Sequence, residues 1–183
     1  STTATPVVTV LGRLDEAAAA EFHQAFVELY EEYRSDGAIR APRRYLLVLG
    51  TNPKISNRGH NATDTFKQLA EDPSRTVVVV DPRETETTRT ATRHLRVRPG
   101  GDVYLLLALA AVIVRDGLAD RAFVTGHTVG YEALRAELAA VDVATMAARA
   151  GLTVEEIVET ARGFATAESA AVFFDLGVEQ TPF

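Results

Sequence analysis

Cysteine and tryptophan are absent from the 183 residues, and methionine occurs once. Without a thiol the chain can form no disulfide, bind no thiolate-held zinc or iron–sulfur cluster, and offer no cysteine nucleophile. Long hydrophobic runs are missing too. The longest, Val103 to Val114, falls well short of the roughly 20 residues that span a bilayer, so no membrane insertion is expected. Ser1-Thr2-Thr3-Ala4-Thr5 shows no basic residues followed by an apolar core, so no signal peptide is visible and a cytoplasmic protein is expected. An excess of positive charge is lacking: 19 basic against 25 acidic residues leave a net charge of -6. That balance argues against nucleic acid as a partner. The four histidines, His23, His60, His94 and His127, are scattered and show no metal-ligand spacing. Neither a metal ligand nor a catalytic residue can be assembled from the sequence.

What is present is a 46% hydrophobic content, enough for one full core, and a single α/β domain over residues 1–183 is the expectation. A strand at Val7 to Leu11 and a helix from Asp15 to about Arg34 form a lead-in, with Phe22, Phe26, Leu29 and Tyr33 at helical spacing. Tyr45 to Leu49 and Thr76 to Val80 read as strands buried on both faces, separated by a short helix from about Thr63 to Ala70. The threonine-rich stretch Glu84 to Thr92 predicts one or two helical turns, His94 to Val97 a short strand, and the run after Asp102 a buried helix. Further helices follow at Asp120 to Val124, Tyr131 to Ala140, Val143 to Ala150 and Val154 to Ala165, then a last strand at Ala170 to Phe174. Thr153 and Glu156 have capping-box spacing, and Gly151 suits the stop of the helix before it. This alternation predicts a doubly wound, mostly parallel sheet with helices on both faces, Rossmann-like but without the GxGxxG fingerprint.

Three strand-end loops carry the candidate chemistry, because ligands collect at the carboxyl ends of parallel strands. Gly50-Thr51-Asn52-Pro53 offers close backbone approach and an amide side chain; its plainer reading is a turn in which Asn52 caps and Pro53 ends pairing. Asp81-Pro82-Arg83 offers a carboxylate for ribose hydroxyls and a guanidinium for phosphate, or simply an aspartate-proline turn with a solvent arginine. Gly100-Gly101-Asp102 presents a carboxylate that can accept from both N1–H and N2–H of guanine, or that caps the following helix. Arg89, Arg93, Arg96 and Arg98, with His94, form a basic cluster that reads as a pyrophosphate face or as a solvated one. Ala147 to Ile157 has the outline of a DNA-binding helix-turn-helix, but Glu155, Glu156 and Glu159 on its second helix would face phosphates. DNA binding is rejected on that ground.

Five blocks taken in order, LLVLGTNPKIS (46–56), VVVVDPRETETTRTA (77–91), HLRVRPGGDVYLLLALA (94–110), DGLADRAFVTGHTVGYEAL (116–134) and GLTVEEIVETARGFATAESAAVFFDLGVEQ (151–180), resemble the molybdopterin oxidoreductases of the dimethyl sulfoxide reductase type. The resemblance covers residues 45–180; residues 1–44 match poorly. It implies the α/β domain that holds one molybdopterin guanine dinucleotide, with molybdenum or tungsten, in enzymes such as formate dehydrogenase and nitrate reductase. Carried over, Gly50, Thr51, Asn52 and Pro53 would face the cofactor's nucleotide and phosphates, Asp81, Pro82 and Arg83 the guanosine or its phosphates, and Gly100, Gly101 and Asp102 the guanine. The family's metal ligand precedes the GTNP motif, and nothing in residues 1–44 matches that loop. The chain is therefore expected to be an excised or truncated domain, with the remaining domains of the parent enzyme as its partners and no turnover by itself. The alternative is a stand-alone nucleotide-binding or interaction module that keeps the fold without the cofactor.

Overall fold

The computed structural model of the chain describes residues 34–35, 38–39, 44–56 and 61–179. Two compact units divide between Pro42 and Arg43. In the first, β1 (Arg34–Ser35) and β2 (Ala38–Ile39) form a short antiparallel pair. The expected strand at Val7 to Leu11 and most of the expected helix lie outside the described residues; Arg34, placed at that helix's end, begins β1.

The second unit is built on β3 (Tyr45–Leu49), β4 (Thr76–Val80), β5 (Arg93–Leu95) and β6 (Ala170–Phe174), in the order β5-β4-β3-β6, every pair parallel. Three of these strands match the sequence reading residue for residue or nearly so, because uninterrupted β-branched and apolar runs leave few alternatives. Val77, Val78, Val79 and Val80 are all at most 1% exposed. Their alternation sends Val78 and Val80 into the larger core and Val77 and Val79 into a smaller one with Val48 and Phe66.

Helices cover both faces. On the smaller-core face lies α2 (Ala62–Glu71), preceded by a single turn, α1 (Pro53–Ser56). On the other lie α3 (Asp102–Arg115), α6 (Val143–Ala150) and α7 (Val154–Thr166), with α4 (Arg121–His127) and α5 (Tyr131–Ala139) between α3 and α6 in the chain; α8 (Leu176–Glu179) follows β6. The apolar α3 packs against α5, α6 and α7. The expected stop and start hold: Gly151 ends α6 at φ 79, and Thr153 with Glu156 forms a reciprocal capping box on α7.

Two local expectations are revised. The threonine-rich segment makes only a 3-10 turn at Thr88–Thr90, since the hydroxyls of Thr88 and Thr90 donate to the carbonyls of Thr85 and Thr87 and hold the backbone in tight turns. β5 stops at Leu95 and does not reach Val97: the Val97 amide turns back to the Leu95 carbonyl at 3.0 Å, and the Arg98 amide donates to the Ala150 carbonyl at 2.8 Å. That early stop places the next loop. Among the described residues no helix is long and apolar enough to cross a membrane.

Candidate functional site

The registers Leu49↔Val80, Leu49↔Phe174 and Val80↔Leu95 end the four strands level with one another. Gly50, Asp81, Arg96 and Asp175 therefore leave the sheet along one rim, across about 14 Å at the usual strand spacing. The strand order reverses between β3 and β6, the place where an open α/β sheet parts its loops to form a crevice.

The first loop is held from two sides. Gly50 sits at φ 60, and a Cβ there would come within 2.7 Å of the Val178 amide nitrogen. Its carbonyl accepts from the Gly177 amide at 3.1 Å, and the Thr51 hydroxyl donates to Asp175 at 3.3 Å. On the other side the Asn52 amide donates to Glu86 at 2.9 Å and accepts from the buried Thr87 hydroxyl. The carbonyl of Asn52 takes the Ile55 and Ser56 amides, with Pro53 as first helical residue. Sequence reasoning read a turn here and missed α1, although an Asn-Pro pair at a helix start was its signal.

In the second loop Asp81 accepts from the Arg83 amide at 2.8 Å, an aspartate turn that leaves the Arg83 side chain exposed. The Asp81 carbonyl meets His94 Nε2 at 2.8 Å. The third loop brings Gly100, at φ 77, and Gly101, where a Cβ would lie 2.9 Å from the Arg98 carbonyl oxygen and 3.1 Å from Ala150 Cα. Gly101 takes the cap position of α3, so Asp102 is its first helical residue and not its cap.

Asp102 is 8% exposed. Burial pushes its carboxyl above the ordinary carboxylate value, and the negative charge of Asp81 pushes the same way, against a hydrogen bond from its own amide. The second and third loops thus meet in an electrostatic sense. A buried carboxylate that, among the described residues, has only its own backbone as donor suits a ligand that brings N–H or O–H groups to it.

The basic cluster divides. Arg89 pairs with Glu84 at 3.0 Å, and Arg96 and His94 lie near enough to help hold that carboxyl below its ordinary value; Arg93 pairs instead with Glu159 at 2.8 Å, and Arg98 lies along the backbone of Gly151. Asp175 and Gly177, at the rim beside Gly50, were not singled out from the sequence. Their signal was the one used elsewhere: an acid and a glycine directly after an apolar strand. A hollow of about 690 Å³ along Val154, Val158, Arg162 and Gly163 of α7 shares no residue with the three loops.

No protein-family model matches the chain. It is 31% identical over 138 residues to the F420-dependent formate dehydrogenase 2 subunit alpha of Methanococcus maripaludis, covering 75% of this chain and 20% of the relative. It is 33% identical over 135 residues to formate dehydrogenase H of Escherichia coli, covering 74% and 18%. Among solved structures, acetylene hydratase from Pelobacter acetylenicus superposes with a TM-score of 0.63 at 29% identity over 73% of this chain and 18% of that one. The chain spans about a fifth of the length of these relatives.

Proposed function

Because the chain belongs to the molybdopterin oxidoreductases of the dimethyl sulfoxide reductase type, we propose that its strand-end rim holds molybdopterin guanine dinucleotide within a longer formate dehydrogenase- or nitrate reductase-like enzyme. The chain supplies cofactor grip and not the metal ligand. The observation that carries this reading is Asp102: a buried, donor-poor carboxylate at the end of the third loop, beside Asp81.

The donor set fits a guanosine nucleotide. Asp102 accepts a paired N–H edge, which guanine offers and adenine does not. Asp81 stands where a ribose diol can donate to it, and the exposed Arg83 guanidinium can fork onto a phosphate. Thr51 and Asn52 work differently from the sequence expectation: their side chains are engaged with Asp175, Glu86 and Thr87, so they shape the loop and leave its main chain to approach phosphates. Bound, the cofactor supplies the redox chemistry. These residues bind it, orient its base and keep water from Asp102.

Calorimetry with GMP and AMP tests the reading. GMP binding weakly and AMP more weakly still is the expected order, with the preference lost in Asp102→Asn; most of the cofactor's contacts would come from other domains. Equal binding of the two nucleotides by folded chain would remove Asp102 as the guanine reader and favour a module that has lost its cofactor.

A further inference from the structure

Strand β6 is a margin of the sheet, paired among the described residues with β3 alone. Such an edge presents a row of unpaired N–H and C=O groups and templates association unless charge, proline, a bulge or shortness blunts it. The opposite margin, β5, is blunted in this way: it is three residues long, contains Arg93 and His94, and ends in a tight turn. β6 is five residues, Ala170–Phe174, with no charge, glycine or proline.

Its side chains are also under-covered. Val172 and Phe174 are 43% and 54% exposed on the face that carries α7, whereas Leu47 and Leu49, one strand inward, are buried. On the other face Phe173 borders a hollow of about 180 Å³ with Leu46, Pro53, Phe66 and Leu69, apolar side chains with none of their own kind filling the space. Edge, upper face and lower face are all incomplete at the same strand.

We propose that β6 is an interior strand in the working protein, its edge taken by an extended, uncharged segment from the rest of the oxidoreductase polypeptide. This rests on the reading of the chain as one domain of a longer enzyme. The relatives supply the length for it: with 18–20% of each covered, about four-fifths lies outside the match. A second copy of this chain fits less well. Two-fold pairing of β6 with β6 would satisfy the edge, but each copy would bring the same bare Val172 and Phe174 face and none of the cover it lacks. A strand arriving with its own flanking layer supplies both.

Hydrogen exchange of the amides of Ala170–Phe174 tests this, measured on the 183-residue chain and on the protein purified from its natural host. Those amides that do not pair with β3 are expected to exchange at least about tenfold more slowly in the host protein. Val172→Lys should leave the melting temperature of the 183-residue chain unchanged and abolish the added protection in the longer protein. Equal, fast exchange in both samples would overturn the proposal. So would protection in the 183-residue chain that rises with concentration alongside a doubled mass in light scattering, which would make the partner a second copy. Nucleotide released by acid from the same host sample separates the two readings: GMP released with β6 unprotected sinks only the strand, and β6 protected with no guanine nucleotide sinks only the cofactor.

Discussion

β5 and β6 bound the same sheet on opposite sides, yet they are made for different surroundings. β5 is short, pairs its Arg93 with Glu159, anchors His94 on the Asp81 carbonyl, and turns away after Leu95 into the Asp102 loop. Among the described residues, Arg93, His94 and the amides of Val97 and Arg98 at that margin each find a partner. β6 pairs in full with β3, then leaves Val172 and Phe174 in water. The margin that carries the proposed base reader is finished, and the margin beside the Gly50 loop is not. A sheet edge therefore records its neighbour in its side chains: charge and brevity where water is the neighbour, bare apolar surface where protein is.

Leu95 is fully buried in the larger core, so Leu95→Ala in β5 should cost roughly 2–5 kcal/mol in urea or thermal denaturation of the chain. A loss under about 1 kcal/mol would mean that β5 is as loosely finished as β6. Next comes the joint beneath β6. Gly50→Ala forces a side chain onto a left-handed backbone and into the Val178 amide, with an expected loss of roughly 1–3 kcal/mol. Gly177→Ala probes the same contact from the other side, since its Cβ would strike the Gly50 carbonyl oxygen. If both are silent, the loop after β3 is not held by the segment after β6.

Three of the four strands of this sheet were legible in sequence, β6 at its margin included, and the end of β5 was not. Tyr45–Leu49 and Thr76–Val80 are runs whose burial on both faces leaves one reading. Caps with a local mechanism were legible as well: Gly151, and Thr153 with Glu156. What escaped were features set by partners distant in sequence. The end of β5 depends on the Ala150 carbonyl capturing the Arg98 amide, 52 positions away, and the Gly50 loop depends on Gly177 and Asp175. The turn at Thr88–Thr90 escaped for another reason, the competition of threonine hydroxyls with the helix. For the candidate site, residue types and loop positions were readable, but the inward engagement of Thr51 and Asn52 was not, because Glu86 and Thr87 lie on a different loop.

Two carboxylates shift in opposite directions and so respond oppositely to pH. Asp102, on the β5 side, has its carboxyl raised by burial and by Asp81. Its folded value lies above its unfolded one, so the folded state loses stability as pH rises from about 4 through the raised value, and stays lower above it. Asp72, before β4, is held at about 2 by the Ser74 hydroxyl and amide and by Arg75. Its contribution is fully present above about 4 and is lost as pH falls through about 2. Asp102→Asn should therefore melt at the wild-type temperature near pH 3 and above it at pH 7, while losing its preference for GMP. Asp72→Asn should show the reverse pattern, less stable than wild type at pH 7, with the difference closing as pH falls below about 2. A difference between Asp102→Asn and wild type that does not vary with pH would remove desolvation as the cause.

The smallest effect is the most exacting for the contrast between the margins. Phe174→Ser removes a large aromatic side chain, a change that costs roughly 3–5 kcal/mol in a packed core. At 54% exposure on a strand paired on one side only it has little packing to lose, and in the 183-residue chain the expected change is within about 0.5 kcal/mol. Urea denaturation beside Leu95→Ala measures both margins in one background. If Phe174→Ser costs more than about 1 kcal/mol, Phe174 is already covered by something in this chain, and the case for an incoming strand falls with it. If the cost is near zero here and large in the longer protein, the difference between the two values measures the contact that β6 lacks when this chain stands alone.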